Sequence, residues 1–146
     1  MANGLTTLIK LNAWGVDQRR RKLGEIMHLI QSLETQARNL EQELVREQQA
    51  ASASPQEAGY IYGNYANAVI VRRQRIAASI ASAETEAADA RDDLANAYRD
   101  LKKYETVQAN RLAEKKKEEA RKDQIELDEI GLQGHVRKSN IAQPGQ

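Results

Sequence analysis

The sequence predicts an all-α protein that folds as a long two-helix antiparallel coiled-coil hairpin. An apolar residue recurs every three or four positions through the first third of the chain, and the repeat resumes after one interruption at residues 52–57. Steps of three and four average about 3.5 residues, the period of a left-handed coiled coil. The composition agrees, because a chain with no Phe and 29% charged residues suits a narrow buried seam better than a globular core.

Helix one is predicted from about residue 4 to residue 51. Gly15 and Gly24 lie inside it and weaken it locally, each by about 1 kcal/mol relative to Ala. The seam of this helix consists of Leu5, Ile9, Asn12, Val16, Arg19, Leu23, Ile26, Ile30, Leu33, Ala37, Leu40 and Leu44.

A turn is predicted at residues 52–54, just before helix two. Ser54 suits the N-cap position, and Pro55 then occupies the first helical position, where its missing N–H costs nothing. Glu57 follows three residues after the cap and can reach back to the Ser54 N–H, which completes a capping box.

Helix two is predicted from residue 55 to about residue 132, where Gly131 and Gly134 are plausible stops. The coiled coil then spans residues 1–134, and the polar tail 135–146 is expected to be disordered. The seam of helix two consists of Tyr62, Ala66, Val69, Arg73, Ile76, Ile80, Ala83, Ala87, Ala90, Leu94, Ala97, Leu101 and Tyr104.

The two seams also predict a register. In an antiparallel pair the numbers of facing residues have a constant sum, and a sum of 113 places large side chains opposite small ones, as close packing requires. Ile26 then faces Ala87, and Leu5 lies near Gln108. Helix two therefore extends beyond helix one by roughly 25 residues, or about 35 Å.

This extension is polar and strongly helix-forming from Arg111 to Asp123. A helix that is polar on all sides is either a solvated spacer or a binding site for a charged partner. Its candidate contact residues are Arg111, Lys115, Lys116, Lys117, Arg121 and Lys122.

Other features of the sequence exclude several classes of function. A net charge of +1 argues against a nucleic-acid binder, and the absence of Cys excludes disulfides and thiolate metal sites. No apolar run approaches the roughly 20 residues of a membrane span, and the first residues do not resemble a signal peptide, so a cytoplasmic protein is expected. We assign no catalytic, cofactor-binding or metal-binding residue. The histidines, the carboxylates of residues 84–93 and the basic run 19–22 are interpreted as solvated helix faces.

Two apolar patches fall outside the seam and are therefore candidate partner-binding surfaces. The N-terminal patch consists of Leu8, Leu11 and Trp14. The helix-two patch follows the turn and consists of Tyr60, Ile61, Tyr65, Ala68 and Val71. The alternative is that these residues wrap the turn or mediate self-association.

Over nearly its whole length the chain resembles the flagellar type III export chaperone family known as FliJ. The resemblance rests on the length, the hairpin pattern and short motifs at the start of each helix and late in helix two. These motifs are Leu5–Leu11, Val16–Leu23, Tyr60–Tyr65 and Leu101–Glu105.

This resemblance implies a non-enzymatic stalk that inserts into the ring of the flagellar export ATPase. It also implies contact with the cytoplasmic domain of a membrane export gate and with export chaperones, at the periphery of the inner membrane. Family members use their helix ends for the ring and the start of the second helix for the gate. A monomeric hairpin is expected. The alternatives are the equivalent stalk of a virulence secretion system and a homo-oligomeric structural coiled coil.

Overall fold

The computed structural model describes residues 2–53 and 55–142, except for the side chains of residues 2–3, 55–61 and 141–142. The described residues form two helices, α1 (Ala2–Ala53) and α2 (Pro55–Ala142). Two compact units are present: the hairpin unit, Lys10–Leu101, and the terminal unit, which combines Met1–Ile9 with Lys102–Gln146. The fold is therefore the all-α helical hairpin that the repeat predicts. The capping box of Ser54, Pro55 and Glu57 lies outside the described residues and side chains.

In the hairpin unit, the predicted apolar seam is the buried surface. Every predicted seam residue there is buried or half-buried apart from Arg19 and Arg73. The core is a cluster of Ile26 with Ala87 and Ala90, and Leu23 and Ile30 pack against it. These contacts agree with the predicted register, which places Ile26 opposite Ala87.

The two arginines at seam positions keep their charged ends near solvent. Arg73 forms an ion pair with Glu41 across the hairpin, with 2.6 Å between guanidinium Nη2 and carboxylate Oε1. Both side chains of this pair are about half exposed, so the pair contributes at most about 1 kcal/mol. The Arg19 guanidinium turns back along its own helix and donates a hydrogen bond to the Gly15 carbonyl, at 3.1 Å.

In the terminal unit, the start of α1 packs beside α2. Leu5, Ile9 and Tyr104 are half-buried, and the Gln108 amide donates a hydrogen bond of 3.4 Å to the Thr6 hydroxyl. This contact confirms the predicted proximity of Leu5 and Gln108. Beyond it, every residue of α2 from 109 to 140 is exposed.

Helix α2 ends later than the sequence predicts, at Ala142 instead of about Leu132. The predicted stop depended on Gly131 or Gly134 adopting the left-handed conformation of a helix C-cap. No described glycine has a positive φ, so the helical hydrogen-bond pattern passes through both residues. Residues 135–142 are accordingly helical, and residues 143–146 lie outside the described residues.

The tight contact at Ala87 leads to a first prediction. Ala87 packs against Ile26 and is only 1% exposed. Ala87→Leu should therefore overpack the seam and lower the free energy of unfolding by about 1–3 kcal/mol. The matched control is Ala88→Leu, the same change one residue along at an exposed position, which should stay within about 0.5 kcal/mol. Thermal and urea unfolding, both monitored by circular dichroism, measure the stability of the two variants. Equal losses of stability would contradict the register.

Candidate partner-binding surfaces

The helix-two patch is partly exposed and partly folded onto the hairpin. Ala68 and Val71 are exposed, as predicted, whereas Tyr65 is half-buried. The side chains of Tyr60 and Ile61 lie outside the described part of the chain. The expectation that Tyr65 faces water is therefore corrected, because Tyr65 occupies a position flanking the seam, where a long side chain lies along the partner helix.

The environment of the Tyr65 hydroxyl is set by the end of α1. Its oxygen is shielded from solvent, and its nearest acceptor is the carboxylate of Glu43, with which it makes at most a weak hydrogen bond. Loss of hydration raises the pKa of this hydroxyl, and the carboxylates of Glu43 and Glu47 raise it further, while Arg72 opposes them. Tyr65 therefore belongs to the packing of the hairpin at least as much as to its outer surface.

The N-terminal patch divides in a similar way. Leu11 and Trp14 are exposed, and Trp14 shows 61% of its surface to solvent. Leu8 is half-buried, so the expectation that it faces water is corrected for the same reason as for Tyr65: it flanks the seam. Leu11 and Trp14 remain as the exposed apolar residues of this patch. A Trp with more than half of its surface in water is a typical anchor for a protein partner.

The basic residues of the terminal segment are all exposed and lie along α2 after its contact with α1. They are the six predicted for the extension, Arg111, Lys115, Lys116, Lys117, Arg121 and Lys122. Arg121 lies 3.7 Å from Glu118, one helical turn earlier on the same helix, which is a weak exposed pair. Most of the positive charge in this stretch is therefore available to a partner.

A third surface was not predicted from the sequence. Between residues 125 and 136, α2 carries five large apolar side chains, each between 50% and 65% exposed: Ile125, Leu127, Ile130, Leu132 and Val136. The signal was present in the sequence, since five of these twelve residues are large and apolar. It was missed because the predicted end of the helix at about residue 132 divided the segment.

The described residues contain no group of three His, Asp or Glu side chains placed to hold a metal ion. Neither described helix has a stretch with the length and hydropathy needed to cross a membrane. The grooves along the hairpin unit are open and shallow, such as the one lined by Leu29, Leu33 and Ser79. The surfaces available in this part of the chain suit contacts with macromolecules.

Comparison with known proteins gives a consistent result. Residues 1–140 match the family model described as "Flagellar FliJ protein". Two similar relatives, both named Flagellar FliJ protein, come from Caulobacter vibrioides strains NA1000 / CB15N and ATCC 19089 / CIP 103742 / CB 15. Each is 30% identical to this chain over 139 residues, covering 92% of this chain and 99% of the relative. No solved structure matches the chain.

The Tyr65 hydroxyl leads to a second prediction. Its pKa is raised in the folded state above the ordinary value near 10, so the folded protein holds this proton more tightly than the unfolded chain. The hairpin should therefore lose stability as pH rises through about 10 and above. Tyr65→Phe should remove this part of the loss, because the variant has no phenolic proton to release.

Urea unfolding of the wild type and Tyr65→Phe at pH 7 and pH 10.5 measures this effect. Tyr98→Phe is the control, since Tyr98 is exposed. A stability difference between wild type and Tyr65→Phe that does not change with pH would contradict the prediction.

Proposed function

Because this chain belongs to the flagellar FliJ protein family, we propose that it is the non-enzymatic coiled-coil stalk of a flagellar type III export apparatus. Family membership supports the broader statement that it is a component of that apparatus. The proposal adds that the stalk binds inside the ring of the export ATPase. It also couples the ring to the cytoplasmic domain of the export gate and to export chaperones, in the cytoplasm next to the inner membrane.

The main support for the proposed ring contact is that α2 is exposed from residue 109 to residue 140. The start of this segment lies beside Leu5 and Thr6 of α1, and the exposed residues beyond that groove offer most of the surface of the helix to a partner. Its six exposed basic residues supply charge for that contact. Such charge pairs weaken as salt rises, so ring binding should depend on ionic strength.

The mechanism is mechanical and allosteric. A single helix inside a ring of several subunits contacts those subunits unequally, because the helix does not share the symmetry of the ring. Unequal contacts favour some conformations of the ring over others, since a ligand shifts an equilibrium only through its differential affinity for the states. The stalk thereby biases the assembly or turnover of the ATPase without supplying a catalytic group.

The exposed residues of the helix-two patch are the proposed gate contact, and the N-terminal patch is available to a chaperone or to the gate. The patch around Val71 lies in the hairpin unit, whereas the exposed basic residues belong to the terminal unit. Contacts with gate and ring therefore use different units of the chain. Mutations can consequently separate them.

Two alternatives make different predictions. The stalk of a virulence secretion system would have secretion genes for that system as genomic neighbours instead of flagellar genes. A homo-oligomeric structural coiled coil would sediment as an oligomer at micromolar concentration, whereas the proposed stalk sediments as a monomer.

The third prediction concerns the ring. Deleting residues 109–146 should leave the hairpin melting temperature nearly unchanged, because the described residues removed are exposed. The same deletion should abolish stimulation of the purified export ATPase. Steady-state ATP hydrolysis with increasing amounts of each chain measures this, and the full-length chain with Val71→Asn is the control. Stimulation that survives the deletion would rule out this segment as the ring contact.

The fourth prediction concerns the gate. Val71→Asn should change stability by less than about 0.5 kcal/mol, since Val71 is exposed, and should weaken binding to the purified cytoplasmic domain of the gate. The matched control is Ile70→Asn, because Ile70 is 47% exposed against 46% for Val71 and points about 100° away around the helix. Calorimetric titration of the gate domain compares the two variants. If both variants bind like the wild type, the patch is not the gate contact.

A further inference from the structure

One side of the hairpin unit carries two neighbouring rows of residues spaced by seven. Residues seven apart on an α-helix are almost in line, because seven residues make nearly two turns. Met27 of α1 lines a shallow groove together with Glu84 and Arg91 of α2, so the rows through these residues lie on the same side of the hairpin. We call this side the groove face. All members of the two rows are exposed: Arg20, Met27 and Glu34 in α1, and Ala77, Glu84, Arg91 and Tyr98 in α2.

The centre of the groove face is apolar and open to close approach. Met27 is 46% exposed, and Ile30 and Ala87 line the groove beside it. The residues that follow the members of the α2 row by one helical turn are small and exposed, namely Ala81, Ala88 and Ala95. Helices approach more closely where the side chains between them are small, so a second helical surface can contact this face along α2.

The charges of the groove face reverse sign across its centre. In α1, Arg20 lies seven residues before Met27 and Glu34 lies seven residues after it. A second pair, Asp17 and Arg38, lies ten residues before and eleven residues after Met27. Arg38 lines a second groove on the same side of the hairpin, and Asp17 is in line with it three heptads earlier. Each charge therefore has an opposite charge at nearly the same distance on the other side of the centre.

The α2 row shows the same reversal. Ala87 packs against Ile26, so it lies at the level of Met27. Glu84 lies three residues before Ala87 and Arg91 lies four residues after it. A rotation by 180° about an axis through this level, perpendicular to the helices, consequently places basic groups over acidic groups in both rows.

We infer that the groove face is an interface between two copies of this chain, packed antiparallel about a two-fold axis beside Met27 and Ala87. A two-fold interface uses the same patch on both subunits, so the patch has to be complementary to itself. An apolar centre flanked by charges of opposite sign meets that condition. The net charge of +1 adds little overall repulsion between two copies. The inference is independent of the proposed function, since the groove face belongs to the hairpin unit.

Charge also selects the antiparallel orientation. In a parallel pair about an axis along the hairpin, α1 of one copy faces α2 of the other at the same level. The register places Arg91 within two residues of the level of Arg20, so the parallel pair brings these two like charges together. Like charges placed against each other disfavour an interface, whereas the antiparallel pair joins Arg20 to Glu34.

This association is weak and reversible. The apolar centre is narrow, and exposed ion pairs such as those around it add little affinity. We expect a dissociation constant on the order of 100 µM, as for a small and largely polar interface. The chain then remains monomeric at micromolar concentration, which distinguishes this dimer from an obligate structural oligomer. Arg20 and Glu84, interpreted from the sequence as solvated, are exposed in the single chain and paired in the dimer.

Exchange of charges across the interface tests the inference. Sedimentation equilibrium of the full-length chain up to about 500 µM should show a monomer–dimer equilibrium. Arg20→Glu and Glu34→Arg should each weaken dimerisation at least about fivefold, because each variant places like charges against each other. An equimolar mixture of the two variants should dimerise like the wild type, because each chain then meets the opposite charge on its partner.

The matched controls are Arg21→Glu and Glu25→Arg, which make the same charge changes at exposed positions outside the groove face. Alone or mixed, they should stay within about twofold of the wild type. Three results would overturn the inference: a wild-type chain that stays monomeric throughout, a mixture that dimerises no better than its components, or an Arg20→Glu variant that dimerises more tightly, as the parallel pair requires.

Crosslinking at the two-fold axis gives an independent measurement. The chain has no Cys, so Met27→Cys introduces a single thiol that lies beside its counterpart in the dimer. Leu29→Cys is the matched control, because Leu29 is 48% exposed and lines the groove on the other side of the hairpin. With a short bifunctional maleimide, Met27→Cys should form covalent dimers at least about five times faster than Leu29→Cys at equal concentration. Equal rates would contradict the assigned face.

Discussion

The packing of large side chains of α1 against alanines of α2 is the contact on which the hairpin depends. Ile26 lies against Ala87 and Ala90, and the absence of longer side chains at those positions allows the two helices to approach closely. Two helices without a third element bury only a narrow strip, so each buried contact carries a large share of the stability. The chain has no Phe and only one Trp, and that Trp is exposed, so no bulky aromatic core can replace these contacts.

Much of this fold could be predicted from the sequence because burial in a two-helix pair follows from helical phase alone. Residues such as Val16, Leu40 and Val69 are buried because the repeat places them between the helices. The prediction was wrong where phase does not decide burial. Leu8 and Tyr65 flank the seam, and whether such side chains lie over it depends on their length and on the neighbouring helix, which the repeat does not record. The end of α2 was missed because a glycine can remain helical as easily as it can stop a helix.

The arginines of the seam illustrate how a charge can occupy a position that the pattern assigns to an apolar residue. Arg19 lies at a seam position and carries its guanidinium back to the Gly15 carbonyl. A Cβ at residue 15 would lie 3.0 Å from Nη1 of Arg19, a tight contact that the exposed guanidinium can relieve by moving a few tenths of an ångström. From sequence alone Gly15 only weakens the helix. In the structure the absence of its side chain leaves room beside the carbonyl to which Arg19 donates its hydrogen bond. The local cost of the glycine and the unusual seam residue are therefore parts of one arrangement.

The candidate surfaces were harder to predict than the fold, because the repeat records only pairing within the chain. By default, a residue at an outer position is interpreted as solvated. This interpretation is adequate for Glu84, but it does not say whether Trp14 or Leu127 contacts a partner. The structure shows which apolar side chains the fold leaves exposed, which the sequence repeat does not. In the terminal unit this area lies on opposite sides of α2, in a segment whose residues from 109 to 140 are all exposed. Burial of this apolar surface is favourable, and exposed apolar patches are typical of surfaces that contact other proteins. That expectation follows from the hydrophobic effect and the geometry of a helix, independently of family membership.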